Sequence, residues 1–280
     1  MKTIFFLSFF ILSGQNALFG QTEIRVMSYN IRYDITTSNA SPWTERHVAI
    51  SEQIKQYHAD IIGMQEVLDH QRTQLLTDLP EFASVGVGRD DGQKAGEYAP
   101  IFYKKERFRL LHSGTFWLSP TPDIPSKGWD AALNRICTYA QFVDETLKDT
   151  IWVYNTHFDH VGEEARKRSA ELILKKIEMS GYEQQAVVVC GDFNLNDDHP
   201  TISFVQLHWK DALFEAKELK SNKNRTFNNF DLENEASKRI DYLFTNEKVD
   251  ILTFETIVER FGISYPSDHF PILATLKIKK

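Results

Sequence analysis

The sequence predicts an α/β fold in which two packed sheets are flanked by helices. Many segments have the short apolar or alternating pattern of a β-strand, whereas few have the 3.6-residue periodicity of a helix. Such a mixture favours two sheets packed together with helices outside. Behind a leader-like N-terminus, about 260 residues remain, and no linker divides them, which suits one large α/β domain.

The first twenty residues have the layout of a secretory signal peptide. Met1 and Lys2 precede the short apolar segment 3–12, and small and polar residues follow from Ser13 to Gln21. The apolar segment is shorter than the roughly 20 residues that span a membrane. We therefore expect a signal peptide at 1–20, a folded domain at 21–280, and a secreted or periplasmic protein. A lipid anchor is not expected, because no Cys lies near this segment.

Each predicted element rests on its local pattern. The strand at 24–31 alternates apolar and polar residues, and that at 186–191 is an apolar run typical of a strand buried on both faces. The helix at 162–179 is the clearest, because its apolar residues recur at helical spacing. Further strands are predicted at 60–65, 82–87, 98–104, 107–118, 135–143, 151–157, 239–245, 249–257 and 271–277, and helices at 43–57, 69–78 and 200–207.

Charge and cysteine content narrow the classes of function. A net charge of −7 gives no sign of a basic nucleic-acid-binding surface, although it permits a local basic cleft or a bound cation. The two cysteines, Cys137 and Cys190, each lie in an apolar run. We interpret them as buried free thiols and leave a single disulfide between them open. We expect a monomer with no obligate protein partner.

Polar side chains follow the ends of several predicted strands. Asp192 and Asn194 follow the apolar run 187–190, and period two places both on one face of the backbone. Turn residues alone would explain any one such end. Their recurrence favours a shared site, because sites in sheet enzymes gather where strands terminate. The other strand-end residues are Asn30, Glu66, His157, Asp241, Asp268 and His269.

This set of side chains suits metal-assisted phosphoester hydrolysis. Clustered buried carboxylates need a counter-charge, and Mg²⁺, with Mn²⁺ as a substitute, binds carboxylate oxygens. Cys/His spacing for zinc is absent from the sequence, which disfavours that metal. A cation with His and Asn donors can stabilise the charge on phosphoryl oxygens, and a carboxylate can orient or deprotonate the attacking water.

In this order, the strand-end segments resemble the endonuclease/exonuclease/phosphatase superfamily, which has the fold of deoxyribonuclease I. The runs 191–194 (Gly-Asp-Phe-Asn) and 267–271 (Ser-Asp-His-Phe-Pro) are the specific motifs, supported by Gln65-Glu66 and by the run 239–242. The resemblance extends from Asn30 to Pro271. It implies a four-layer α/β/β/α sandwich of two mixed sheets and Mg²⁺-dependent phosphoester cleavage.

The resemblance also implies a role for each residue. Glu66, Asn30 and Asp268 would hold the metal, and Asn30 would also contact the phosphate. Asp192 would position the nucleophilic water, with help from Asn194. His269, oriented by Asp241, would contact the scissile phosphate, and His157 would complete the catalytic set.

Two residues separate this chain from the abasic-site endonucleases of the superfamily. Those enzymes have Tyr where this chain has His157, and a carboxylate where it has Arg32. Both differences weaken a DNA-repair interpretation. Other parts of the chain are similar to a secreted bacterial branch, in which Arg135 would bind the substrate phosphate, although a salt bridge explains it equally well.

Several nearby residues have ordinary explanations. Arg166 could contact the phosphate, but an exposed helix charge is the favoured interpretation. Asp159 and His160 could extend the metal site, and a position around a helix N-terminus explains them as well. Trp43 and Arg46 are expected as packing residues at the start of a helix.

The substrate class stays open between two hydrolase hypotheses. The first is a secreted, nuclease-like phosphodiesterase, for which Arg89, Lys94, Lys104 and Lys105 would have to line a groove. The second is a phosphatase or sphingomyelinase-like hydrolase of sugar phosphates or lipid head groups. A membrane-active form would expose an aromatic hairpin around Phe116. A non-catalytic domain is disfavoured, because a dead site has no reason to keep clustered carboxylates.

Overall fold

The computed structural model describes residues 23–35, 41–233, 236–262 and 264–280. The predicted signal peptide at 1–20 lies outside these residues. Within them, no helix is both long enough and apolar enough to cross a membrane.

The described residues form two mixed sheets. The strands in chain order are β1 (Ile24–Asn30), β2 (Ile61–Gln65), β3 (Phe82–Val85), β4 (Ile101–Lys104), β5 (Phe108–Trp117), β6 (Ile136–Asp144), β7 (Asp149–His157), β8 (Ala186–Asp192), β9 (Lys210–Asp211), β10 (Glu218–Leu219), β11 (Asp241–Thr245), β12 (Val249–Thr256) and β13 (Ile272–Ile278). The first sheet has the order β10-β12-β13-β1-β2-β4-β3, and the second has β5-β6-β7-β8-β11-β9.

Helices cover the outer face of each sheet. They are α1 (Trp43–Gln56), α2 (Asp69–Asp78), α3 (Glu163–Ser180) and α4 (Pro200–Gln206). The short α5 (Ala212–Glu215) instead packs into the layer between the sheets through Ala212 and Leu213. Helix α3 ends at Gly181, whose φ of 71° is the left-handed conformation that glycine adopts at a helix end.

Three apolar layers hold these elements together. Alternate residues of both sheets, such as Val26 and Val188, form the layer between the sheets. The opposite face of the first sheet packs on α1 and α2 through residues such as Met27, and that of the second packs on α3 and α4 through Val187. The arrangement is the predicted four-layer α/β/β/α sandwich.

Each sheet contains a parallel strand pair that ends at the site. Strands β1 and β2 are parallel and bring Asn30 beside Gln65, and β7 and β8 are parallel and bring His157 beside Asp192. The antiparallel strand β11 places Asp241 on the other side of Asp192. Since parallel strands end at the same edge, residues distant in sequence meet there.

The predicted strands and helices match the structure, with ends shifted by a few residues. The segments 210–211, 212–215 and 218–219 form short elements that the sequence analysis did not predict. Their pattern is too short for a periodicity to be seen. Cys137 and Cys190 are buried free thiols, as predicted. They lie in different apolar layers, Cys137 on the helix side of the second sheet and Cys190 between the sheets.

The two sheets approach each other closely at Gly63 in β2. A Cβ atom there would lie 2.6 Å from Cys190 Sγ and 2.7 Å from Asn155 Oδ1.

We expect Gly63→Ala to destabilise the fold by about 1–3 kcal/mol, the usual cost of overpacking a core. Denaturant unfolding measures this. In the double variant with Cys190→Ala, the two costs should not add, because one clash is removed. Additive costs would contradict the close contact.

Candidate active site

Four of the predicted site residues lie on the inner sheet faces, which face each other across the sandwich. Side chains alternate along a strand, so Asn30, His157, Asp192 and Asp241 continue the rows that form the inter-sheet core. All four are less than 9% exposed. The apolar rows therefore end in polar side chains at one edge of the sandwich.

Three site residues reach the site through an unusual backbone conformation. Arg32, Glu66 and Asn194 have φ values of 56°, 61° and 51°. Asn tolerates this left-handed region, but Arg and Glu adopt it at a cost in free energy, and such residues cluster at functional sites. Glu66 follows Gln65, whose side chain faces the other sheet. Without the left-handed conformation at Glu66, the alternation of side chains along a strand would direct the Glu66 side chain away from the site.

Asn30 connects the two sheets at the centre of the site. Its Nδ2 atom donates to Glu66 Oε1 at 3.1 Å and to Asp192 Oδ2 at 3.0 Å. Its Oδ1 atom accepts from the Arg32 backbone N–H at 3.1 Å. In this arrangement, Asn30 orients the two carboxylates by donating to them.

Arg32 lies between the carboxylates of Glu66 and Asp268. Its Nη1 is 3.4 Å from Glu66 Oε2, and its Nε is 3.6 Å from Asp268 Oδ2. The Tyr33 backbone N–H donates to the same Glu66 oxygen at 3.2 Å. Burial raises the pKa of Asp268, and nearby Glu66 raises it further, while His269 and Arg32 oppose the rise.

His269 and Asp241 form a buried ion pair. His269 Nδ1 lies 2.9 Å from Asp241 Oδ2, and its Nε2 lies 3.8 Å from Asp192 Oδ2. Burial disfavours the protonated ring, but Asp241, Asp192 and Asp268 outweigh it and raise the His269 pKa to about 10. Burial and the charge of Asp241 raise the pKa of Asp192 to about 7.

His157 is held in the opposite, neutral state. Burial, together with Arg135 and Arg89, lowers its pKa well below the ordinary value. Asn194 Nδ2 donates to the Phe158 carbonyl at 3.0 Å and lies 3.1 Å from His157 Nε2. Nε2 must therefore accept, which places the ring proton on Nδ1.

Glu97 belongs to the site but was missed in the sequence analysis. Its Oε2 lies 3.8 Å from His157 Nδ1, and its carboxylate is paired with Arg89 at 2.8 Å. Glu97 follows the Gly-rich loop 86–96 and ends no predicted strand, so the strand-end pattern did not identify it.

Arg135 is part of a salt-bridged cluster beside the catalytic residues. Its Nε lies 3.3 Å from Asp159 Oδ2, and its Nη2 lies 3.0 Å from His160 Nδ1. The buried Asp159 also accepts four backbone N–H groups, which hold the loop around it. The salt bridge that the sequence left open is therefore present, and Arg135 also lines the cavity.

These residues surround a cavity of about 770 Å³. One wall consists of the catalytic candidates, including Glu66, His157, Asp192, Asp268 and His269. A second part of the lining, the mixed polar wall, is mostly polar and mixed in charge, and its residues are Leu133, Arg135, His160, Arg166, Asn196, Asp198 and His199.

The donors at the base of the cavity fit a hard divalent cation. Glu66 and Asp268 present carboxylate oxygens, the ligands that Mg²⁺ prefers, and Arg32 now supplies the positive charge between them. The Arg32 side chain is 27% exposed, so a cation could supply the positive charge between the two carboxylates in its place. Asp192, Asp241 and His269 form a second candidate set, with ligand atoms within 4.8 Å of one another, and the buried Asp241 Oδ1 has no partner.

The structure thus brings together every predicted site residue. Glu66, Asn30, Asp192 and Asp268 are joined through Asn30 and Arg32, and His157, Asn194, Asp241 and His269 contact the same Asp192 or its neighbours. Their individual roles remain predictions.

The comparisons with known proteins agree with this geometry. The Endonuclease/Exonuclease/phosphatase family matches residues 27–269. A solved endonuclease/exonuclease/phosphatase structure from Bacteroides vulgatus is 40% identical, with a TM-score of 0.87, covering 92% of this chain and 100% of that one. A mannosyl-6-phosphatase of Bacteroides thetaiotaomicron is 33% identical, with a TM-score of 0.87, covering 90% and 99%.

A protein of Acanthamoeba polyphaga mimivirus is 28% identical over 162 residues, which is 55% of this chain. The matched region spans 60% of the length of that relative.

We expect Asp241→Asn to lower the His269 pKa from about 10 toward or below its ordinary value of 6.5, because burial then opposes protonation without the main counter-charge. An NMR titration of the metal-free protein measures this. Asp198→Asn, which makes the same chemical change at an exposed position in the cavity, should alter that pKa much less. Equal effects of both variants would contradict the assigned pairing.

Proposed function

Because the chain belongs to the endonuclease/exonuclease/phosphatase family, we propose that it is an exported, Mg²⁺-dependent phosphatase that removes the phosphate from a sugar phosphate. The chain is a metal-dependent phosphoester hydrolase, as the members of this family are. The metal's identity, the sugar and the export are the proposed part. Export rests on the layout of residues 1–20.

The mixed polar wall of the cavity is the observation that carries the choice of substrate. Its positive side chains, Arg135, Arg166 and His199, each pair with a nearby carboxylate, so it offers hydrogen bonds without a strong positive field. Arg135 pairs with Asp159, and Glu163 pairs with both Arg166, at 2.7 Å, and His199, at 2.8 Å. Such a wall suits neutral hydroxyl groups better than the charged backbone of a nucleic acid.

Two earlier hypotheses lose their local support. Two of the four residues expected in a nuclease groove are engaged elsewhere. Arg89 is buried against Glu97, and Lys104 pairs with Asp60, which precedes β2 and so lies at the far end of that strand from Glu66. Phe116 is 4% exposed, so the aromatic hairpin of a membrane-active hydrolase is not formed there. The 33% identical mannosyl-6-phosphatase further supports a monoester substrate.

The proposed mechanism divides the work among residues on both sheets. Glu66 and Asp268 would hold the cation, and Asn30 would hold the Glu66 and Asp192 carboxylates in position relative to each other. When bound, Mg²⁺ would polarise the phosphoryl group and stabilise the leaving oxygen.

Asp192 accepts a proton from the attacking water. Its pKa of about 7 suits this role near neutral pH. The Asn194 backbone N–H, 2.8 Å from Oδ1, and Asn30 Nδ2, 3.0 Å from Oδ2, orient the carboxylate. His269, protonated and fixed by Asp241, donates from Nε2 to a phosphoryl oxygen. Asn194 holds the neutral His157 in place beside Asp192, through its Nδ2 at 3.1 Å from His157 Nε2.

We expect Asp192→Ala and His269→Ala to reduce hydrolysis of p-nitrophenyl phosphate by at least about 10²-fold, the loss typical of a removed general base or charge-stabilising donor. EDTA should abolish activity, and Mg²⁺ or Mn²⁺ should restore it. Steady-state kinetics and circular dichroism separate activity from folding. Asp123→Ala, at an exposed carboxylate away from the cavity, serves as the control. Full activity in both active-site variants would refute the assignment.

For the substrate class, we expect hexose 6-phosphates to be better substrates by kcat/KM than bis-p-nitrophenyl phosphate, DNA or RNA. Asp198→Ala should lower kcat/KM for the sugar phosphate by about tenfold, the effect of one lost hydrogen bond, and leave p-nitrophenyl phosphate unaffected. A panel of these substrates with Mg²⁺ measures both. Preference for the diesters would instead favour the nuclease-like phosphodiesterase.

A further inference from the structure

Arg46 is a buried arginine whose side-chain hydrogen bonds all go to backbone carbonyls. It lies in the first turn of α1 and is 2% exposed. Its guanidinium donates to the carbonyls of Ile31 at 2.6 Å, Ser41 at 3.1 Å, Pro266 at 3.1 Å, Arg32 at 3.0 Å and Tyr33 at 3.4 Å. A cation without a carboxylate partner at hydrogen-bond distance is costly to bury, so these carbonyls carry its stabilisation.

Four of the five carbonyls belong to two loops, one directly after Asn30 and one directly before Asp268. Residues 31–33 follow Asn30 directly at the end of β1. Pro266 precedes Asp268 by two residues, before β13. Arg46 therefore joins, through one planar group, two loops that are more than 200 residues apart in the chain.

Three of the five peptide groups that Arg46 contacts are also hydrogen-bonded on their other side. In a trans peptide, the carbonyl and the following N–H point in opposite directions. The Ile31 carbonyl accepts from Arg46, and the N–H of the same peptide, on Arg32, donates to Asn30 Oδ1 at 3.1 Å. The Arg32 carbonyl accepts from Arg46, and the following N–H, on Tyr33, donates to Glu66 Oε2 at 3.2 Å.

The third peptide repeats the pattern. The Tyr33 carbonyl accepts from Arg46, and the Asp34 N–H donates to Gln71 Oε1 at 3.2 Å. Gln71 Nε2 in turn donates to the Arg32 carbonyl at 3.1 Å. Three consecutive amides are thus aimed away from Arg46, two of them at side chains of the proposed cation site.

We infer that Arg46 is a positioning residue for the metal site, which fixes Asn30 and Glu66 through the backbone and sets their distance from Asp268. The inference rests on the proposed function, because it concerns the same cation. Charge on the guanidinium polarises the bonded peptides and strengthens their N–H donors toward the carboxylate. This role replaces the packing role expected from the sequence.

Ser267 supplies a second link between the same loops. Its hydroxyl donates to the Asn30 carbonyl at 2.7 Å and accepts from the His269 N–H at 3.3 Å. Ser267 is fully buried, and the substitution Ser267→Ala removes only its hydroxyl oxygen. It therefore offers a milder variant that acts on the same geometry.

A lysine could not replace Arg46 in this role. It keeps the charge, but its donors radiate from one nitrogen and cannot reach carbonyls on separate loops as a planar fork does. Arg46→Lys should therefore weaken Mn²⁺ binding by about 10–100-fold, the effect of losing an outer-shell partner of a metal ligand. Ser267→Ala should weaken it in the same direction and by less.

The control is Arg107→Lys, which alters another buried arginine. Arg107 binds Asp60 at 2.9 Å and Asp144 at 2.8 Å, and Asp60 precedes β2, at the other end of that strand from Glu66. This variant should lower the unfolding temperature and leave Mn²⁺ affinity within about twofold of the wild type, since a distant ion pair contributes to stability without touching the site.

Free Mn²⁺ is measured by electron paramagnetic resonance during titration of the wild type and the three variants, each checked for folding by circular dichroism. The predicted order of affinity is wild type and Arg107→Lys, then Ser267→Ala, then Arg46→Lys. Amide exchange at Arg32 and Tyr33 in the metal-free protein should also accelerate in Arg46→Lys and not in Arg107→Lys.

Wild-type affinity in Arg46→Lys and Ser267→Ala would overturn the positioning role and leave the proposed function intact. If Arg46→Lys does not fold, Ser267→Ala decides by the same criterion. A wild-type protein that binds no Mn²⁺ would overturn the proposed function and, with it, this inference.

Discussion

Side-chain alternation along two parallel strand pairs is the constraint on which this site depends. Strand β1 beside β2, and β7 beside β8, end at one edge, and their inner faces pass from apolar residues to polar ones without a change of register. Between core and site, Gln65 and Asn155 are joined across the sheets at 2.6 Å. The strands that build the core therefore also fix the distances between the reacting groups, and Asn30 and Asp192 need no mobile loop to meet.

The electrostatic balance of the site follows from that geometry. Four carboxylates, those of Glu66, Asp192, Asp241 and Asp268, lie within a small buried region, where unpaired negative charge is costly. Protonated His269 and Arg32 offset part of it, and the raised pKa of Asp192 shows that the compensation is incomplete. A divalent cation would supply the rest, and it would allow a chain with net charge −7 to bind the proposed phosphate.

Much of this arrangement could be predicted from the sequence, because period two and strand ends are local patterns. The four-layer fold and the convergence of Asn30 and Asp192 follow from them. Three kinds of feature did not. Glu97 lies in a loop, where no periodicity marks it, and the carboxylate partners of Arg89 and Lys104 are set by tertiary contacts. The contacts of Arg46 depend on carbonyl directions, which no residue pattern encodes.

The placement of the two cysteines bears on how the protein would mature. Both thiols are inaccessible to solvent, burial raises their pKa values, and they occupy different layers of the sandwich. Thiolate is the species that attacks a disulfide, so neither sulfur would engage an oxidant or an isomerase once the core has formed. In an oxidising compartment, the chain would reach its native state without oxidative folding catalysts, and its activity would be indifferent to the redox potential around it.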